Sequence, residues 1–330
     1  MLRAFLFLVA AAAYAAPCTT ATPGCTEWLK LGGGSSRSLI YRTYPLDTRN
    51  EGITRAFIMI HGAGRDADNY FRTAVAAAFL GGALEDTLVI APRFSSQGAG
   101  ECHDTLAAGE VNWPCGGNSW RSGGVAANNG KLTSFDFTDE ILRKLARKDV
   151  FPNLKAIVVA GHSAGGQYVT RYAMANRVHD SLGVHVSYVV ANPSSYAYPD
   201  AQRPGEDGKS FGPFGDARNC TTYDRWPYGF ESRAGYAARI PAEQLKKQLA
   251  ERPVTYLLGE IDILPLGGFD SSCPAMAQGP TRRARGEAYA AYVNQKFGAH
   301  HTVTVVPLCG HNARCMFTAD PALAIVFPKQ

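Results

Sequence analysis

The chain has 330 residues, 46% of them hydrophobic, which is ample for one large core or for one core with an insertion. Its 33 Lys and Arg against 28 Asp and Glu leave a formal charge of +5. The basic residues are spread widely, so nothing in the charge balance points to a nucleic-acid partner. After the first residues there is no apolar run long enough to span a bilayer, and no membrane span is expected.

Taken in chain order, Met1-Leu2-Arg3 is followed by an apolar run over 4–13 and the small-x-small site Ala13-Tyr14-Ala15. This pattern predicts a secretory signal peptide over 1–15 and an exported, secreted mature chain beginning at Ala16. Eight cysteines agree with export, because an even count in an oxidising compartment favours disulfides. Proximity in sequence pairs Cys18 with Cys25, Cys102 with Cys115 and Cys309 with Cys315, leaving Cys220 for Cys273. Asn219-Cys220-Thr221 is the one acceptor for N-glycosylation, since a proline excludes Asn192-Pro193-Ser194.

The segment 16–34, rich in Thr, Gly and Cys, reads as an irregular arm. Strands are predicted at 37–44, 56–60, 87–91, 154–160, 184–191, 254–258 and 302–306. Helical spacing falls at 68–79, 135–148, 164–179, 241–249 and 282–296. The 135–148 segment carries Asp136 and Asp139 early and Arg143, Lys144, Arg147 and Lys148 late, as the helix dipole favours. The basic cluster Thr281-Arg282-Arg283-Ala284-Arg285 opens a helix and reads as a solvated face. Two stretches break the alternation, 94–132 and 193–236. They read as loop insertions over the sheet edge, forming a cap or a substrate-binding surface within a single domain over 16–330. Most strands are continuous apolar runs, which belong to an α/β fold with a mostly parallel sheet covered on both faces by helices. In such sheets ligands bind beyond the carboxyl ends of the strands.

The chemistry gathers at those ends. A β-branched run closes in Gly161-His162-Ser163-Ala164-Gly165 and a helix follows at once. That context makes Ser163 a candidate nucleophile at the apex of a tight turn, with the Ala164 N–H placed to stabilise an oxyanion. A serine hydroxyl needs a base oriented by a carboxylate. His311 is the candidate base, in a loop after the last strand and bracketed by Cys309 and Cys315. His300 and His301 lie at the wrong end of that strand. The side chain of His162 is expected to point elsewhere, and His103, His179 and His185 have no comparable context. Asp262, just past the 254–258 strand, is the candidate acid, with Glu260 and Asp270 as alternatives. A second oxyanion donor is expected from His61-Gly62-Ala63-Gly64, at Ala63 or its neighbour Gly64, with His61 bracing the loop. Substrate contacts are expected from Trp113, Trp120, Tyr196, Tyr198, Tyr223, Trp226 and Tyr228. The same aromatic residues could equally form a packed core of the cap. No His-Glu-x-x-His or Cys-x-x-Cys occurs, so no metal site is expected.

Together these motifs resemble the α/β-hydrolase family over nearly the whole mature chain, closest to secreted esterases and depolymerases of the feruloyl-esterase and polyhydroxyalkanoate-depolymerase kind. The resemblance implies an α/β-hydrolase fold and hydrolysis of carboxylic esters without a cofactor. It puts Ser163 in the nucleophile role, Asp262 in the acid role and His311 in the base role, and matches His61-Gly62 to the oxyanion loop. The expected partner is an ester substrate, either a small molecule or an extracellular polymer. A peptidase or amidase with the same triad is one rival reading. A secreted binding module without activity is the other, against which the intact set of Ser163, Asp262 and His311 argues.

Overall fold

A computed structural model describes residues 16–100, 102–116 and 119–328; the expected signal peptide lies outside them. The continuous apolar runs form the middle of one eight-stranded sheet. Its strands are β1 (Thr26–Lys30), β2 (Arg37–Arg42), β3 (Arg55–Ile60), β4 (Thr87–Pro92), β5 (Ala156–His162), β6 (His185–Ala191), β7 (Val254–Gly259) and β8 (Thr302–Val306), in the order β1-β2-β4-β3-β5-β6-β7-β8. From β4 to β8 all neighbours are parallel, whereas β1 and β2 form an antiparallel edge. Alternation along β3 divides the core between the two faces. Ile58 and Ile60 join one cluster with Ile157, Val159, Val190 and Leu258. Phe57 and Met59 join the other with Val158, Ala160 and Leu257.

Eight α-helices, two small two-stranded sheets and four short 3-10 helices accompany the main sheet among the described residues. The α-helices are α1 (Ala67–Leu80), α2 (Ser134–Leu145), α3 (Ala164–Ala175), α4 (Ala242–Glu251), α5 (Cys273–Met276), α6 (Arg282–Phe297), α7 (Ala313–Thr318) and α8 (Asp320–Val326). On the first face α2 buries Phe135, Phe137, Ile141, Leu142 and Leu145, while α3 is buried along its whole length. The start of α2 is fixed by Asp136, which accepts from both the backbone N–H and the hydroxyl of Thr133 at 2.7 Å. On the second face α1 packs with α7 and α8. No helix among the described residues is long and apolar enough to cross a membrane.

Three expectations change. The arm over 16–34 contains β1, which pairs residue by residue with β2 from Thr26–Tyr41 to Lys30–Arg37. An edge strand only five residues long, with Lys30 exposed, lacks the apolar run that marks the central strands. The C-terminal helices α7 and α8 are too short to show helical periodicity. The helix after Ser163 stops at Ala175 rather than 179, because Asn176 leaves the helical region (φ −55°, ψ 122°) and its side-chain oxygen takes the amides of Val178 and His179.

Candidate active site

The carboxyl ends of β3, β5, β7 and β8 point the same way, and each carries one part of the site. Ser163 sits between β5 and α3 with φ 58° and ψ −118°, a left-handed conformation that costs a non-glycine residue free energy. Small neighbours make the turn possible. A Cβ at Gly161 would run into the Gly165 backbone, one at Gly165 into the carbonyl of Ile60, and one at Gly166 would stand 2.6 Å from the Ala191 oxygen. The Ser163 N–H donates to the Ala191 carbonyl at 3.0 Å, tying the turn to β6.

The structure brings Ser163, His311 and Asp262 together from three separate loops. His311 Nε2 lies 2.9 Å from Ser163 Oγ, and His311 Nδ1 lies 2.8 Å from Asp262 Oδ2. With a neutral ring, Nδ1–H donates to the carboxylate and Nε2 accepts from the hydroxyl. Asp262 is buried while His311 keeps some contact with solvent. The alternative acids go elsewhere. Glu260 Oε2 accepts from the Leu308 N–H at 2.8 Å, and Asp270 Oδ2 accepts from the Tyr228 hydroxyl at 2.7 Å.

Behind Asp262 stands Arg282, which the sequence reading placed on a solvated helix face. That reading is corrected: Arg282 and Arg285 are both buried, three residues apart on the inner face of α6. Arg282 donates to Asp262 Oδ1 at 3.3 Å, to Ser194 Oγ at 2.8 Å and to the Gly267 carbonyl at 2.8 Å. Arg285 donates to the carbonyls of Ser194, Asp270 and Gly279. These acceptors lie outside α6, with Ser194 about ninety residues away, which is why local pattern could not find them. Burial pulls Arg282 below the ordinary guanidinium range, against the opposing charge of Asp262.

The loop after β3 places Ala63 and Gly64, both exposed, on the wall of the same cleft as Ser163. His61 beneath it is fully buried. Its Nε2 accepts from the Phe94 N–H at 3.0 Å, so its Nδ1 donates to the Gly62 carbonyl at 2.9 Å. Burial pulls His61 down to about 4. Ala164 opens α3, where a first-turn N–H has no carbonyl inside the helix to take it. The His162 ring lies against that of His311, with centroids 4.6 Å apart, its Nδ1 is 3.2 Å from the Tyr70 hydroxyl, and burial holds it well below the ordinary imidazole value. Tyr70 thereby links the loop after β3 to the turn, because its hydroxyl also packs against Gly62.

Ser163 and His311 face a cleft of about 1070 Å³ whose walls include Arg65, Asp66, Asn69, Asp104 and Arg314. None of the aromatic residues expected to touch substrate lines it. Trp113 (0% exposed) and Trp120 (1% exposed) pack with Phe94 and Phe137 in the core. Tyr196 and Tyr198 are buried against Tyr289. Tyr223, Trp226 and Tyr228 are half-buried, with Trp226 Nε1 donating to the Ser122 carbonyl at 3.2 Å. The first insertion reaches the cleft through His103 and Asp104 instead. Arg65 bonds Asp104 at 2.9 Å, and Asp104 accepts the Ser96 N–H at 2.7 Å, which anchors that segment. Asn219 is exposed, its side-chain amide donating to Asp216 at 2.6 Å.

All four disulfides pair as proximity in sequence suggests: Cys18–Cys25, Cys102–Cys115, Cys220–Cys273 and Cys309–Cys315. The last closes the loop that carries His311.

Comparison with known proteins agrees with this architecture. No curated protein sequence is significantly similar to the chain. Among solved structures, a poly(3-hydroxybutyrate) depolymerase from Bordetella parapertussis superposes with a TM-score of 0.62 at 22% identity, over 89% of this chain and 85% of that one. Poly(aspartic acid) hydrolase-1 from Sphingomonas sp. KT-1 superposes with a TM-score of 0.63 at 22% identity, over 92% of this chain and 98% of that one. At such identity the likeness speaks to the fold. The alpha/beta hydrolase family model matches residues 57–326, a span that takes in most of β3, the serine turn and both loops that meet it, and the chain belongs to that family.

Proposed function

We propose that the protein is a secreted serine hydrolase that cleaves carboxylic esters through an acyl-enzyme intermediate. The observation that carries the reading is the relay of Asp262, His311 and Ser163, with links of 2.8 and 2.9 Å, opening on the cleft. His311 takes the Ser163 proton as Oγ attacks the ester carbonyl, and Asp262 stabilises the imidazolium that forms. The N–H groups of Ala164 and of Ala63, or Gly64 beside it, hold the oxyanion; losing one such donor costs roughly 3 kcal/mol in the transition state. His311 then protonates the leaving alkoxide. Water activated by the same ring attacks the acyl carbonyl and frees the acid. No step calls for a metal or an organic cofactor. Four disulfides support a life outside a reducing compartment.

Ser163→Ala is expected to lower kcat on p-nitrophenyl acetate by about 10⁴-fold or more, with the circular dichroism spectrum unchanged. A fluorophosphonate is expected to label the wild-type protein at Ser163 and to leave the variant unlabelled. Activity retained by the folded variant would overturn the proposal. Turnover of matched amides in preference to esters would replace the esterase reading with an amidase.

A further inference from the structure

Two non-glycine residues in the wall of the cleft have a left-handed backbone, Ser163 and Arg65. At Ser163 that conformation sets the nucleophile at the apex of its turn. At Arg65 the φ is 56° and the residue is only 8% exposed. A side chain is disfavoured in that conformation and an arginine is rarely buried, so its presence there needs a reason of its own.

The loop after β3 supplies one. Gly62, Ala63, Gly64 and Arg65 form a turn in which the Arg65 N–H donates to the Gly62 carbonyl at 3.2 Å. The same carbonyl accepts from His61 Nδ1 at 2.9 Å. Arg65 Nη1 donates to the next carbonyl, that of Ala63, at 3.3 Å. A trans peptide directs its N–H opposite to its C=O. Fixing the Gly62 carbonyl therefore aims the Ala63 N–H, and fixing the Ala63 carbonyl aims the Gly64 N–H. Neither N–H has a hydrogen-bond partner among the described residues. The backbone of Arg65 thus sets one candidate oxyanion donor, and its side chain sets the other.

The guanidinium is held in turn. Its Nε donates to Asp104 Oδ2 at 2.9 Å. Asp104 is fastened to Ser96 in both directions, since its carboxylate accepts the Ser96 N–H at 2.7 Å and its own N–H donates to the Ser96 carbonyl at 2.8 Å. The Cys102–Cys115 bridge starts just before it.

We infer that Arg65 is a positioning residue for the oxyanion donors and that Asp104 holds it to that task, so the first insertion acts on the reaction through one ion pair. This rests on the serine-hydrolase reading.

The test compares the full mature wild type with Arg65→Met, Arg65→Lys and Asp104→Asn, with kcat taken per serine labelled by a fluorophosphonate. Arg65→Met is expected to lose about thirtyfold or more of kcat on p-nitrophenyl acetate, with KM within about twofold. Lysine keeps a cation for Asp104, but its single ammonium replaces a fork that reaches two acceptors. Arg65→Lys is therefore expected to melt within about 2 °C of wild type and still to lose about tenfold of kcat. Full kcat in Arg65→Lys overturns the inference and makes the ion pair a structural staple. A raised KM with kcat unchanged in Arg65→Met also overturns it, and makes Arg65 a substrate contact. Hydrogen exchange reads the loop without turnover. In Asp104→Asn, which leaves the loop sequence intact, the amide of Arg65 is expected to exchange about tenfold faster. Unchanged exchange there overturns the inference. A wild type that exchanges as expected but hydrolyses no ester would instead sink the esterase reading and leave the ordering of the loop by Arg65 standing.

Discussion

Arg282 stands behind Asp262, bonded to the carboxylate oxygen that His311 does not use. Its guanidinium is buried against a carboxylate that is itself buried, and removing one member of such a pair typically costs about 3–5 kcal/mol. Arg282→Met keeps an unbranched side chain, though a shorter one, and deletes the charge. Its urea midpoint is expected to drop accordingly, and kcat to fall tenfold or more as Asp262 loses its fixed orientation, with KM little altered. Equal stability and kcat in the variant would show that Asp262 is held by other means. Ser163 and His311 stand out in sequence because strong local patterns surround them, a strand-to-helix turn and a pair of cysteines. Asp262 was one of three carboxylates after β7, and only the fold distinguishes it. Arg282 was hidden because a basic cluster on a helix looks the same whether it faces water or a buried carboxylate. Its spacing of three from Arg285, with Arg283 between them half-exposed, was the one available sign that two of the three share a face. The aromatic residues could be read either way, since large rings in irregular segments can pack a core as readily as they line a cleft.

Among the elements, the loop between β8 and α7 is the least supported by secondary structure and carries His311. The Cys309–Cys315 bridge closes it over a separation of six residues, and a ring that small stabilises by about 2 kcal/mol through the unfolded chain. Replacing both cysteines with alanine is expected to lower stability by about that amount and to reduce kcat on p-nitrophenyl acetate several-fold, because the imidazole then samples positions away from Ser163. Kinetics matching wild type would mean that Asn312, which caps α7 by accepting the Cys315 N–H at 3.0 Å, holds the loop without the bridge. The parallel strands were legible as continuous apolar runs because both faces of the sheet are covered. β1 was not, since half of it faces solvent, and neither were α7 and α8, which owe their form to packing against α1.

Across the whole molecule, four histidines are held neutral by burial. His61, His179 and His301 are each pulled down to about 4, and His162 is held well below the ordinary value of 6.5. The unfolded chain therefore binds these protons first as pH falls from 6.5 toward 4, and the native state loses stability over that window. Asp139 works the other way. Burial raises it to about 6, against the hydroxyls of Tyr236 and Tyr172, so its proton favours the native state between about 4 and 6. Asp224 is raised by burial as well, and two carboxyls set against four imidazoles leave acid destabilising. The melting temperature at pH 5 is expected to lie on the order of 5 °C below that at pH 7.5. A flat or rising profile by differential scanning fluorimetry would contradict this balance.

The crowding around the serine turn has a consequence for anyone who maps this protein by random substitution. Gly161 and Gly165 have backbone where a side chain would have to go, and Ser163 is held by its neighbours in a conformation few residues accept. Inactive clones will therefore accumulate at 161 and 165 for reasons of shape, in the same few codons where chemistry would put them. A mutational hot spot there measures how little room the backbone has. Only substitutions that keep the turn and change the oxygen can speak about the reaction.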